Sequence, residues 1–273
     1  MQVRELISDD DFRQRQRLLE SRGLSVPSCN RAWGVFVGQK LLGTVGAQGE
    51  TLVGFAVAEE AQGQGLSTVL TQQAVSDLFV AGCTNIRAFT KPSETPKFEA
   101  VGFHVAARAP QAVFMEWNDG FSQHLHQLET LASGAPAASG AVVLNANPFT
   151  LGHRALVESA SNDAPFVWVF VVSEDISEFR FADRLRMVQN ALADLPNVRV
   201  LPSGPYMVSL ASFPSYFTKE TERVRVHAEL DLTLFAQQAK ALKITRRFVG
   251  EEPLSAATQE YNRVMKRLLP SFG

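Results

Sequence analysis

Ala141-Val142-Val143-Leu144-Asn145-Ala146-Asn147-Pro148-Phe149-Thr150-Leu151-Gly152-His153-Arg154 is the stretch that decides how this chain folds. Four apolar residues of strand character run into a polar turn, and a helix is predicted to start at about Leu151–His153. Pro148 has no N–H for a strand ladder and fixes its own φ, so the strand ends before it. Gly152 removes the side chain where a phosphate would press on the helix start. His153 projects from the first turn beside the helix amides, where a donor can hold developing negative charge. A lone histidine at a helix start is usually a cap or a surface residue. Here Thr150, Gly152 and the strand–turn–helix setting favour function.

Downstream, strand-like and helix-like segments alternate: Phe166–Val172, a helix near Ala182–Ala193, then Val198–Leu201. That alternation predicts a parallel sheet with crossover helices. Upstream, Ser133–Gly140 is small and uncharged and suits a linker. Before it, apolar residues at 121, 125, 128 and 131 fall on one face of a helix over Phe121–Leu131. With 273 residues, two domains are expected, 1–135 and 136–273.

The first half predicts a charged helix at Asp9–Ser21, then strands Ala32–Val37 and Leu41–Ala47 about a turn at Gly38-Gln39-Lys40. Thr51–Ala58, Ile86–Thr90 and Ala112–Trp117 complete a mostly antiparallel sheet, with a helix at about Ser67–Ala81. Between strand and helix lies Gln62-Gly63-Gln64-Gly65-Leu66-Ser67. Glycines there bring backbone N–H groups close to a ligand, and the helix start suits a pyrophosphate. An ordinary strand–helix turn explains the loop alone equally well. Glu50, Glu59 and Glu60 read as solvated charges, so no general base is named in this half.

Lys+Arg 26 against Asp+Glu 28 leaves a net charge of −2, which argues against a general nucleic-acid or anionic-membrane binder. Cys29 and Cys83 are far apart and form no CxxC pair, so the expectation is two reduced thiols and no metal site. His124-x-His126 would face two ways on a helix, which favours packing and surface roles over a metal. No signal peptide precedes the first segment and the apolar runs are strand-length, so a cytoplasmic protein without a membrane span is expected.

The glycine loop resembles the pyrophosphate-binding signature of GNAT acyltransferases: Gln62 and Gly65 match, Gly63 lies between them, and Ser67 stands where Gly or Ala is usual. Phe98-Glu99-Ala100-Val101-Gly102-Phe103 is similar to a late element of that fold. Thr150-Leu151-Gly152-His153 resembles the Thr/His-x-Gly-His signature of nucleotidyltransferases. The wider run, with Asn145, Asn147, Pro148 and Phe149, resembles the ATP site of the citrate lyase ligase family. Asp183-Arg184-Leu185-Arg186, Ala211–Lys219, Asp231–Phe235 and Arg247-Phe248-Val249-Gly250-Glu251-Glu252-Pro253 follow in that family's order.

The resemblance implies an α/β architecture, a GNAT-like α+β domain before a Rossmann-like parallel-sheet nucleotidyltransferase domain. It implies ATP with Mg2+, and acetate activated as acetyl-adenylate with release of pyrophosphate. The acetyl group would pass to the thiol of a dephospho-coenzyme A type prosthetic group on the citrate lyase acyl carrier protein. Catalytic roles would fall to His153, Thr150, Arg184 and Lys219. Nucleotide contacts would come from Asn145, Pro148, Phe149, Gly152, Gly250 and Glu251. The prosthetic group would meet Gln62, Gly63 and Gly65. Arg184 and Lys219 read equally well as surface residues, and Asp231 as a helix N-cap.

Nucleotidyltransferases of this type carry a second, serine-rich signature well beyond the Gly-Glu-Glu-Pro segment. Leu254–Thr258 resembles it only superficially and leads into an amphipathic helix, Tyr261–Leu269, with Arg263, Lys266 and Arg267 on its solvated face. The expectation is a half-formed triphosphate clamp or a sequence cut short. Two other readings stay open: a nucleotidyltransferase acting on a phosphopantetheine-like acceptor, and a carrier-protein binding module with weakened catalysis.

Overall fold

Eleven strands and eight α-helices make up the computed structural model, which describes residues 1–175, 177–208, 213, 220–250 and 255–272. The chain separates into two compact units. The first comprises Met1–Gly120 with the described part of 214–226; the second comprises Phe121–Phe213 and His227–Gly273.

In the first unit the chain runs β1 (Gln2–Glu5), α1 (Asp9–Ser21), β2 (Arg31–Val37), β3 (Lys40–Gln48) and β4 (Thr51–Val57). It continues with α2 (Leu66–Val80), β5 (Arg87–Thr90), α3 (Thr95–Glu99), β6 (His104–Arg108) and β7 (Val113–Glu116). The sheet order is β1-β2-β3-β4-β5-β7-β6. All neighbours are antiparallel except β4 and β5, which pair in parallel only at Thr51–Arg87 and Leu52–Ala88. Beyond those two pairs the strands part, and the gap opens a cleft in the middle of the sheet. The Phe98, Phe103 and Trp117 rings meet edge to face at 5.6 and 5.4 Å and close the sheet's far end.

The start of α1 is locally determined. Ser8 caps Asp11 N–H, while the Asp11 carboxylate accepts from the Ile7 and Ser8 amides and from Arg4 at 2.6 and 2.8 Å. The Arg4 bond, and then these amides, hold the Asp11 carboxyl well below the usual carboxylate range, against its burial. A depressed folded-state pKa contributes stability that is present above the unfolded value and lost as pH falls below it. Asp11→Asn is therefore expected to cost about 1–2 kcal/mol at neutral pH, discounted for the half-open Arg4. Thermal melts at pH 7 and pH 3 check this: the gap between variant and parent should narrow at the lower pH.

In the second unit, α4 (Gly120–Leu131) precedes β8 (Ser139–Leu144), α5 (Leu151–Asp163), β9 (Val167–Val171), α6 (Phe181–Ala191) and β10 (Val198–Pro202). Then come α7 (Glu220–Ala241), of which residues from His227 onward belong to this unit, β11 (Ile244–Phe248) and α8 (Ala256–Leu268). The sheet is wholly parallel, ordered β10-β9-β8-β11. Covered on both faces, β9 is buried throughout as Val-Trp-Val-Phe-Val, whereas the edge strands β10 and β11 carry exposed arginines. Chain order reverses between β8 and β11, and ligands of open parallel sheets bind outside the strand ends at such a reversal.

The predicted linker overlaps this sheet. Ser139 and Gly140 open β8, and a Cβ at Gly140 would come within 2.8 Å of the Phe248 ring and 3.1 Å of Ala164. The small residues there serve close packing rather than flexibility. Asp231 is likewise no N-cap: it lies inside α7, buried, accepting from Val208 N–H at 2.9 Å and the Tyr261 hydroxyl at 2.5 Å. Among the described residues no helix is long and apolar enough to cross a membrane.

Candidate functional site

The end of β8 and the start of α5 build the turn that the sequence singles out. Ala146, buried, takes a left-handed φ of 51°, and a cis peptide joins Asn147 to Pro148. Asn147 Oδ1 accepts from Phe179 N–H at 3.0 Å, and Asn145 Oδ1 from the Ser177 hydroxyl at 3.3 Å. The turn after β8 is thus tied to the loop after β9.

Thr150 is the N-cap of α5, with its hydroxyl oxygen 3.4 Å from His153 N–H. In return, Thr150 N–H donates to His153 Nδ1 at 3.0 Å, and the Thr150 hydroxyl lies 3.0 Å from the same nitrogen. A backbone N–H only donates, so Nδ1 is an acceptor and the neutral imidazole carries its proton on Nε2. The capping pair therefore fixes the tautomer and makes Nε2–H a donor. Phe149 stacks on the imidazole at 5.6 Å and steadies the ring. A Cβ at Gly152 would meet only Thr150 Oγ1, at 3.7 Å. Packing does not demand glycine there.

Arg184 takes a different place from the one expected. It is fully buried, and its guanidinium donates to the carbonyls of Phe179, Asn145, Val172 and Glu174 at 3.0, 2.7, 2.8 and 2.5 Å, and to Asn145 Oδ1 at 3.1 Å. Burial lowers its pKa, with Asp175 and then Glu174 acting the other way. Asp183 pairs with Arg186 instead. Arg184 binds the ends of β8 and β9 together, which is a positioning role. Arg154 is also committed, to Glu158 and Asp194 at 2.7 and 2.6 Å. Gly250 follows β11 beside the β8 end, and its carbonyl accepts from Asn262 at 3.4 Å. Lys219 and Glu251 lie outside the described residues.

The first unit's cleft, about 730 Å³, is lined by Gln62, Gly63, Gly65, Leu66 and Ser67 on one side and by Phe89, Thr90, Lys91 and Phe98 on the other. Gly63 and Gly65 have φ of 76° and 73°, a conformation other residues adopt only with strain, and Gly65 caps α2 with no side-chain bond. The loop thus delivers the backbone N–H groups of the α2 start into the cleft. Sequence reasoning missed the cations here, Arg22, Lys91 and Lys97. The signal was present for two of them, in the basic residues that flank the prolines after β5. Glu94, the cleft's acid, lies 2.5 Å from Lys97. Glu50, Glu59 and Glu60 are each paired, with Arg87, Arg22 and Lys40. His124 packs near the Tyr206 ring and lies 3.1 Å from Gln238, while His126 is exposed beside Glu129.

By fold, the chain is an α/β protein with a split mixed-sheet unit of the acyltransferase kind and a doubly wound parallel-sheet unit. Comparison with known proteins agrees. Residues 2–104 match the acetyltransferase (GNAT) family, and residues 139–273 match the citrate lyase ligase C-terminal domain. The [citrate [pro-3S]-lyase] ligase of Klebsiella pneumoniae is 36% identical over 98% of this chain and 80% of its own length. That of Escherichia coli is 32% identical over 84% of this chain and 66% of its own, and that of Haemophilus influenzae 34% over 81% and 67%. The solved structure of Escherichia coli ElaA overlaps 43% of this chain and 99% of its own, at 10% identity and a TM-score of 0.37. The chain belongs to the citrate lyase ligase family and is an enzyme, a ligase of that family.

Proposed function

We propose that the chain activates acetate with ATP as acetyl-adenylate and acetylates the thiol of a dephospho-coenzyme A type prosthetic group on the citrate lyase acyl carrier protein. The observation that carries this reading is the reciprocal Thr150–His153 cap at the reversal of a parallel sheet. An acetate oxygen attacks the α-phosphorus, the bond to the bridging oxygen breaks, and charge gathers on the departing pyrophosphate. His153 Nε2–H and the amides at the start of α5 meet that charge with dipoles already oriented, so little reorganisation is needed. Gly152 lets the phosphates approach those amides. Magnesium would arrive on the nucleotide's phosphates and neutralise part of their charge.

In the first unit, the amides at the α2 start and Lys91 suit the pyrophosphate and pantetheine arm of the prosthetic group. The cleft's acid is engaged by a lysine, which fits an acceptor that is a thiol rather than an amine. A thiol loses its proton near neutral pH and asks less of a general base. The test is acetate-dependent pyrophosphate release, measured with and without the carrier protein. Pyrophosphate release that needs no acetate but follows a phosphopantetheine-like acceptor would favour the nucleotidyltransferase reading. Carrier binding without release in any mixture would favour a binding module.

A substitution in the cleft separates the two steps. A carboxylate in the first turn of α2, which has none, suits the helix dipole by about 0.3–1 kcal/mol yet repels a pyrophosphate. Ser67→Glu is expected to leave the melting temperature unchanged or slightly raised. Titration with dephospho-coenzyme A should show binding weakened by roughly tenfold or more, while acetyl-adenylate formation persists. Undiminished binding would remove this loop from the site.

A further inference from the structure

Asp231 and Arg247 take no part in the chemistry proposed above, yet both meet Tyr261 of α8. The Tyr261 hydroxyl donates to Asp231 Oδ2 at 2.5 Å, and the other oxygen of that buried side chain accepts from Val208 N–H at 2.9 Å. Burial of the hydroxyl raises its pKa well above the usual tyrosine range, which keeps the proton on the donor. The Arg247 guanidinium carbon lies 4.3 Å from the Phe235 ring centre and 5.5 Å from that of Tyr261, so two aromatic rings hold the cation. His227, Asp231 and Phe235 follow at intervals of four on α7 and share one face. His227 Nε2 lies 2.6 Å from the Val208 carbonyl, so that face grips both polar groups of Val208 and is a fixed support for Tyr261.

α8 reaches from this support to the end of β11. Val249 packs with Tyr261, Val264 and Met265 in one apolar cluster, and the Gly250 carbonyl accepts from Asn262 Nδ2 at 3.4 Å. β11 runs beside β8, with Arg247 opposite Ala141 and Phe248 opposite Val142. Residues 249–250 therefore leave the sheet at the β8–β11 reversal, where an open parallel sheet takes its ligand. Past Phe248 no strand pairing holds this backbone, and side chains of α8 do so instead.

We propose, taking that reversal as the nucleotide site, that Tyr261 is a positioning residue for ATP: anchored on Asp231, it fixes the exit of β11 at the edge of the nucleotide subsite. The bond to Asp231 sets where α8 lies against α7. The Tyr261 ring, Val249 and the neighbouring Asn262 carry that setting to the backbone of residues 249–250. Loss of the hydroxyl leaves the buried Asp231 Oδ2 short of a donor and frees α8 to shift.

The test is titration of the full chain with MgATP, with kcat and the KM values of acetate-dependent pyrophosphate release measured alongside. Tyr261→Phe is expected to weaken MgATP binding and raise the KM for ATP roughly fivefold, with kcat within about twofold and the KM for acetate unchanged. A merely structural role gives another pattern, in which a smaller active fraction lowers kcat and leaves both KM values alone. Should that variant fail to fold, Asn262→Ala decides, since it removes only a solvent-exposed bond to the Gly250 carbonyl. It is expected to weaken MgATP binding about threefold at an unchanged melting temperature. Arg267→Ala is the control: Arg267 also joins α8 to α7, at Glu229 and 3.1 Å, but further along the helix, and its loss should leave MgATP binding unchanged. Binding that weakens as much in Arg267→Ala as in Tyr261→Phe, or that is unmoved in both Tyr261→Phe and Asn262→Ala, would overturn the proposal. A parent chain that binds no MgATP would overturn it too. If the parent binds MgATP but shows no acetate-dependent release, the titrations still decide the role of Tyr261, and it is acetate activation that fails.

Discussion

Replacing His153 with alanine is expected to cut acetate-dependent pyrophosphate release about a hundredfold, an effect of about 3 kcal/mol on the barrier, while the melting temperature barely moves. The two halves of that expectation have separate causes. Thr150 Oγ1 reaches the His153 backbone N–H, so the N-cap survives loss of the imidazole, and the ring is only partly buried. Thr150 N–H and the Thr150 hydroxyl lose Nδ1 at a solvent-accessible helix end where water can replace it. What is lost for chemistry is the Nε2–H donor that the Thr150 N–H fixes. His153→Gln makes the comparison sharper, since its amide restores an N–H donor without the ring's fixed tautomer, and partial recovery is expected. Unchanged release in both variants would move the phosphate site away from this turn.

Much of this was legible because the signals are local. The limits of α1 follow from its capping residues, and β2, β3 and β4 from apolar runs bounded by Gly38 and Gly49. The first strand of the parallel sheet and the start of α5 follow from Pro148, Thr150 and Gly152. What was not legible depends on partners far away in the sequence. β1 has a short polar pattern and exists because it pairs with β2 from Gln2–Phe36 to Glu5–Trp33. β11 contains Arg246 and Arg247 and reads poorly as a strand, yet pairs in parallel with β8. Its Arg247 lies 4.3 Å from the Phe235 ring centre and so is accommodated within the unit. Glycines in Ser133–Gly140 looked like slack, but Gly140 is small because Phe248, more than a hundred residues later, presses on it. In the turn after β8, the place of His153 in the first turn of α5 was readable, but its tautomer was not. That follows from Thr150 N–H facing Nδ1, a fact of geometry.

Arg184→Met should lower the stability of the second unit by roughly 3–5 kcal/mol, a loss of about 10 °C or more in its melting temperature. The residue lies beside Lys219 in the expected catalytic set, but its surroundings argue for a different use. Its guanidinium meets oxygens of Asn145, Val172, Glu174 and Phe179, which belong to the ends of two strands and the loop between β9 and α6. These carbonyls converge on the buried guanidinium at the ends of the two inner strands, and a methionine leaves them without that donor. Arg184→Lys tests whether charge alone suffices. One ammonium cannot reach four carbonyls spread across three segments, so most of the loss should remain. A cation that acted directly on phosphate would give the opposite pattern, with turnover lost and melting unchanged. Activity should fall here too, but through displacement of Asn145 and the turn behind it. A substrate-independent drop in melting temperature, preceding any loss of turnover as temperature rises, would separate the two. The sequence offers Arg184 as a positive charge near a phosphate, whereas its five hydrogen bonds make it the clamp that sets where the His153 turn begins.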